Sequence, residues 1–403
     1  MILTRRHLVA ASATLPFAAR AQARPTIKIG VMNDMSGPYR DATGQGSVVC
    51  VQQAVRQFNS AGFDVQVLAA DHQNKPDVGA AIARQWLDRD GVNVIMDVPT
   101  SSVALAVNQI AKEKNRLYIN TGAGTGDLTG EQCTPVTIHW SYDTYMLARS
   151  TAAQVTKLGG DKWFFVTADY VFGQQLARDA IRFAKEGGGT VLGEQRYPFP
   201  STTDFSSFLL AAQSSGANVI GFANAGTDTS NCIKQAHEFG LTKTMKIAAL
   251  LMEITDVEAI GTEIGAGLYI SGSFYWDLNE GTRSLTKAVQ GSMPGNEPPN
   301  MIQAGCYAST LHYLKVITAM GAGKASDGAA VCAAMKAMPT DDEAFGKATI
   351  RKDGLVLLPA YLYQVKSKAE SSSKWDLQKL VATTPASEAW KPLAEAGCAM
   401  APA

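Results

Sequence analysis

Short apolar runs alternate along the chain with longer stretches whose apolar residues recur every three or four positions, the rhythm of strands and helices taken in turn. Ile27–Met32 reads as a buried strand, and Asn33–Tyr39 as the loop leaving it. Val65–Ala69 predicts a second strand, Val78–Arg89 a helix and Val92–Met96 a third strand. A helix over Ser101–Asn115 and a strand over Arg116–Asn120 follow. Near Trp140 the rhythm restarts. Helices are expected over Thr144–Leu158, Gly173–Glu186, Phe205–Ser214 and Thr229–Phe239. Strands are expected over Trp163–Thr167, Thr190–Gly193, Asn218–Phe222 and Met245–Ala249. Strands separated by helices pair in parallel through right-handed crossovers. The fold class is therefore α/β, with two doubly wound parallel-sheet lobes in series. From Leu268 onward the pattern is too broken for a third domain: a strand at Leu268–Ile270, a long helix over Met301–Met320 and a strand at Ala360–Val365. The economical arrangement returns the chain to the first lobe and finishes on the second, so several crossovers make a hinge. Residues 24–142 with 276–359 are expected in one lobe, and 143–275 with 360–403 in the other.

Composition narrows the setting. Thr4-Arg5-Arg6-His7 is a basic start, Leu8–Ala19 an apolar run, and Ala21-Gln22-Ala23 a small-x-small site. Residues 1–23 are read as an export signal cleaved near Ala21 or Ala23. The pair Arg5-Arg6 resembles the twin-arginine type. Of the 403 residues 380 then remain, enough for two domains. Losing Arg5, Arg6 and Arg20 leaves 33 basic against 36 acidic residues, a net charge of −3. That balance gives no reason to expect a nucleic-acid partner. No later apolar run is long enough to span a bilayer. Cys50, Cys232, Cys306 and Cys332 sit in apolar helical patterns and read as small core residues. Cys133 and Cys398 lie outside such patterns, and an oxidising compartment would permit a disulfide between them that pins the tail. No Gly-x-Ser-x-Gly elbow, phosphate-binding Gly-Lys-Ser/Thr loop or His-Glu-x-x-His pair is present, so nothing points to catalysis, a metal or a cofactor.

Several fragments in order carry a resemblance. They are Ile29-Gly30-Val31 with Met35-Ser36-Gly37-Pro38, Ser101-Ser102 after a strand, and Asn120-Thr121-Gly122-Ala123 with Leu128-Thr129. Asp169–Gly173 and Asp204-Phe205-Ser206 continue the series. Together they resemble the type I periplasmic solute-binding proteins of ABC importers, the leucine/isoleucine/valine-binding class, over about Ile27 to Val365. The runs Asp71–Asp77, Phe274–Asp277, Ile350–Gly354 and Trp375-Asp376-Leu377 resemble the branched-chain amino-acid and aromatic-acid binding subgroup. The class's first-lobe disulfide is absent, its places holding Gln73-Asn74 and Ser101-Ser102. The resemblance implies a monomer in the periplasm that captures a small carboxylate-bearing ligand and delivers it to an inner-membrane permease driven by an ATPase. A periplasmic sensor acting on a signalling receptor is the alternative.

In open α/β sheets ligands sit beyond the carboxyl ends of the strands. Thr100, Ser101 and Ser102 open a helix there, and its free N–H groups suit a carboxylate. Ala123, Gly124 and Thr125 are small residues on the next loop, where backbone can approach a ligand. In the second lobe Tyr170 and Phe172 stand where the class places an aromatic that closes over its ligand. Ala225, Gly226 and Asp228 follow the next strand, and Leu251 and Met252 the one after. Leu251-Met252 falls about where the class's ammonium-binding glutamate would be, which favours a ligand without an amine, although Asp228 and Glu253 are acids nearby. Tyr39, Trp140, Tyr142, Tyr275 and Trp276 add aromatic surface near the crossings. Asp71, His72 and Asp77 read as a loop that binds backbone groups.

Overall fold

The computed structural model describes residues 24–59 and 62–401; the expected export signal lies outside them. Near-continuous apolar runs make the first sheet: β1 (Thr26–Asn33), β2 (Asp64–Asp71), β3 (Val94–Asp97), β4 (Leu117–Asn120) and β5 (Thr137–His139). They pair in parallel in the order β2-β1-β3-β4-β5. Ile29, Val31, Val94, Met96 and Ile119 are fully buried, as strands covered by helices on both faces require. The second lobe repeats the plan with β6 (Lys162–Ala168), β7 (Thr190–Tyr197), β8 (Val219–Ala223), β9 (Lys246–Ala249) and β10 (Tyr269–Gly272), ordered β7-β6-β8-β9-β10.

The chain then returns. The helix Met301–Met320 is buried along nearly its whole length and packs on the first-lobe helix Gly44–Phe58. A small antiparallel sheet follows, built from β11 (Thr340–Asp342), β12 (Gly346–Ile350) and β13 (Val356–Leu357), and Leu355 bridges to His139 at the end of β5. Finally β14 (Ala360–Val365) and β15 (Gln378–Thr384) add antiparallel strands beyond β10. The all-parallel expectation for the second lobe is corrected at this edge: a chain coming back from the first lobe enters β14 against the direction of β10.

The tail carries the disulfide expected from the sequence. After β15 it leaves the second sheet, and Cys398 is disulfide-bonded to Cys133 on the loop before β5. On the way Trp390 donates from Nε1 to Leu358 O at 2.7 Å, and Arg351 donates to Lys391 O at 2.8 Å. Residues 386–401 therefore bind first-lobe segments rather than continuing the second sheet. Arg182 on the second-lobe helix Val171–Glu186 reaches Glu395 at 3.5 Å, so the tail touches both lobes. Cys50, Cys232, Cys306 and Cys332 are free and buried.

Candidate functional site

Both sheets share one strand order, so each has its switch point beside its first strand, between β1 and β3 and between β6 and β8. Loops leaving the carboxyl ends of strands there splay apart and form a crevice. The two crevices face one another. They enclose a narrow, nearly closed cleft. From the first lobe come Tyr39, Ala42 and Thr43 after β1, Pro99 after β3 and Gly122 after β4. From the second come Tyr170 and Phe172 after β6, Ala225 and Gly226 after β8, and Leu251, Glu253 and Asp256 after β9. Tyr142 and Ile302 complete the wall near the crossovers.

Each wall residue is fixed by local structure. Asp34 is fully buried and its carboxylate accepts from the N–H groups of Gly37 (2.7 Å) and Tyr39 (2.8 Å) and from Asn74 Nδ2 (2.6 Å). That ring of bonds folds the loop and presents Tyr39. Asp71 does the same one turn lower, accepting from Gln73 N–H at 2.8 Å and Ser36 Oγ at 2.6 Å. Tyr142 donates its hydroxyl to Gly122 O at 2.5 Å. Gly226 precedes the helix Thr227–Glu238 with φ 61° and ψ −138°, backbone space that is essentially glycine's own. A Cβ there would stand 2.3 Å from Pro38 O on the other lobe. Thr227 N–H donates to that same carbonyl at 3.1 Å, so the lobes meet backbone to backbone.

The electrostatics are one-sided. Among the described residues no Lys, Arg or His lines the cleft. Glu253 and Asp256 form its only acidic corner. Glu253 N–H donates to Asp256 Oδ2 at 2.9 Å, and Ser230 Oγ donates to Oδ1 at 3.2 Å. Glu253 Oε1 is buried and has no partner. Burial, with Asp256 adding repulsion, pushes the Glu253 carboxyl up to about 8 against a partial opposing hydrogen bond from the Met301 backbone. Burial likewise raises Asp256 to about 6. On the first-lobe side of the cleft, Thr43 and Pro99 stand at the N-terminal ends of the helices Gly44–Phe58 and Ser101–Glu113, whose free N–H groups favour negative charge.

Of the expected site residues, Tyr170, Phe172, Ala225, Gly226 and Leu251 line the cleft. Gly124 is one layer back: a Cβ on it would lie 2.8 Å from the Phe172 ring and 2.9 Å from Tyr142. The remaining first-lobe residues lie outside this lining. Ala123 N–H is already given to Asn120 Oδ1 at 3.0 Å, and Thr125 Oγ1 accepts from Asp127 N–H at 3.3 Å. Ser101 is buried with its hydroxyl unpartnered, and neither it nor Ser102 reaches the lining. Asp228 turns away and accepts from Tyr197 OH at 2.8 Å. Met252 and Tyr275 line a second small pocket that Glu253 also borders. Tyr39, Ala42, Thr43, Pro99, Gly122, Tyr142, Ile302, Glu253 and Asp256 also line the wall outside the expected set, although Tyr39, Tyr142 and Glu253 were noted near it, and Glu253 with Asp256 form the acidic pair. Their signal was the spacing of an acid three residues after another just beyond a strand, a capping-box pattern that opens the helix Ile254–Ile260.

A family model described as periplasmic binding protein matches residues 26–370. The chain belongs to the periplasmic binding protein family. It is 45% identical to a periplasmic binding protein from Burkholderia mallei, with TM-score 0.89, covering 93% of this chain and 99% of that one. It is 35% identical, at TM-score 0.81 and the same coverage, to a branched-chain amino-acid ABC transporter periplasmic ligand-binding protein from Burkholderia xenovorans. It is also 26% identical over 381 residues to the Leu/Ile/Val-binding protein homolog 3 of Brucella melitensis, spanning 93% of this chain and 97% of that protein. Within the periplasmic binding protein family a cleft between two lobes is where the ligand-recognising chemistry is sought, and here it is aromatic with one buried acidic corner.

Proposed function

We propose that this protein is the ligand-capturing component of an ABC importer, and that its ligand is a small α-amino acid with an apolar side chain. The two lobes, residues 24–142 with 276–359 and residues 143–275 with 360–403, are the two bodies that close on it. The observation carrying the reading is Glu253 Oε1, buried without a partner in a cleft otherwise walled by Tyr39, Tyr142, Tyr170 and Phe172. A ligand ammonium placed there would supply the missing donor and restore the charge of the carboxylate. The ligand carboxylate would face the helix ends at Thr43 and Pro99, and its side chain the rings of Phe172 and Tyr170. This acid corner moves the balance from an amine-free acid toward an amino acid. The 35% identical relative, named for branched-chain amino acids, supports the same choice. Delivery to a permease, with the ligand released unchanged, completes the proposal.

The pH dependence of affinity tests it. With Glu253 raised to about 8, an ammonium must select the ionised form, so binding of leucine should tighten as pH rises from 6 to 8. The ceiling is about tenfold per pH unit. An amine-free acid such as benzoate would instead take a hydrogen bond from the protonated carboxyl, and its binding would weaken as pH rises through 8. Calorimetric titration of refolded, ligand-stripped protein with both compounds decides. Binding of benzoate alone, weakening with pH, would sink the amino-acid reading.

A further inference from the structure

Phe199 stands outside the cleft and yet touches two of its walls. It follows β7 on the second lobe, is half-buried, and is not part of the lining. Its ring stacks on Tyr170 at 4.4 Å between centroids, with the planes 16° apart. It also stacks on Tyr39 of the first lobe at 5.5 Å and 22°. The hydroxyls of Tyr39 and Tyr170 lie 2.5 Å apart. Three rings and one hydrogen bond therefore form a continuous stack that crosses from one lobe to the other.

Each end of the stack is anchored on its own lobe. Tyr39 N–H is held by the buried Asp34 carboxylate at 2.8 Å. Tyr170 N–H donates to Ala168 O, also at 2.8 Å, immediately before the helix Val171–Glu186. A rotation that separates the lobes pulls Tyr39 away from both partners at once. Stacked aromatic pairs contribute beyond the area they bury, and here that contribution exists only with the lobes together.

We propose that Phe199 is a positioning residue for lobe closure: it seats Tyr39 of the first lobe against Tyr170 of the second and so sets the closed population without touching ligand. The inference rests on the reading of the cleft as a ligand site and adds what holds that cleft shut. Apparent affinity falls in proportion to the binding-competent fraction, whatever the ligand. A closure residue therefore scales every affinity by one factor, whereas a contact residue changes the ratio between ligands.

The test compares Phe199→Ala and Phe199→Tyr with the parent protein, each checked for folding by its thermal melt. Small-angle scattering without ligand should show a larger radius of gyration for Phe199→Ala and the parental value for Phe199→Tyr. Dissociation constants for leucine and phenylalanine as probes should both rise about three- to tenfold in Phe199→Ala, with their ratio kept. An unchanged radius of gyration overturns the proposal, as does a changed ratio. If Phe199→Ala fails to fold, Phe199→Leu keeps an apolar side chain and removes the ring, and the same scattering shift is expected or the proposal falls. Should neither amino acid bind, the ligand assignment fails while scattering still decides the closure role.

Discussion

Glu253 shows how one side chain acquires a role that its type alone does not give. In the unfolded chain its carboxyl titrates near 4.5, and in the folded protein near 8. Between those values the native state holds a proton that the unfolded state has released, so stability falls as pH rises from about 4.5 to 8 and levels beyond. Glu253→Gln removes that component. Denaturant unfolding at pH 5 and pH 8 should show a smaller loss in the variant than in the parent, by on the order of a few kcal/mol. Equal losses in the two proteins would mean that Glu253 is ionised in the native state. Asp143 (about 7), Asp97 and Asp256 (both about 6) are also raised by burial, and their contributions remain in both proteins.

At the scale of elements, the turn from β8 into the helix Thr227–Glu238 decides how closely the lobes approach. Gly226 occupies a left-handed conformation, and its missing side chain leaves room for Pro38 O. Gly226→Ala adds strain of about 1–3 kcal/mol to the turn and places a methyl against the opposing carbonyl. Its expected signature is a lowered melting temperature together with affinity weakened at least about tenfold, as seen by calorimetry. Parental affinity would show that the lobes close without this backbone contact. Sequence reading found Gly226 because a glycine just past a strand end is a recognisable signal. It did not find the reason, which is a carbonyl on another lobe. The same holds for Ala123, whose backbone was expected to be free for a ligand and is instead bonded to Asn120.

Over the whole molecule the tail ties the two bodies together. β15 belongs to the second sheet, and Cys398, fourteen residues after its end, is bonded to Cys133 of the first lobe. The bond closes a loop with a sequence separation of 265 residues. Replacing both cysteines with alanine should cost about 2–5 kcal/mol in denaturant unfolding under non-reducing conditions. A midpoint equal to the parent's would assign the anchoring to Trp390 and Arg351 instead. Four further cysteines are buried in helices, where burial pushes the thiols of Cys232, Cys306 and Cys332 up and makes them poor nucleophiles.

The sequence by itself determined the alternating strands and helices, the restart near Trp140 and the aromatic residues waiting at Tyr170 and Phe172. Periodicity is a local property, written in neighbouring residues, and β1 to β10 largely followed from it apart from the short β5. The antiparallel β14–β15 edge needed the three-dimensional path, whereas the tail's bond to Cys133 was legible in two cysteines that stand outside apolar helical patterns. The composition of the cleft needed that path as well. Which loop residues face one cavity depends on strand order in two sheets and on how the lobes meet, and none of that is encoded within a window of the chain. Glu253 was legible only as one of two acids near the expected position, and Asp256 was not singled out; in the structure the pair caps a helix. Only the tertiary structure turned that cap into the single acidic corner of an aromatic cleft.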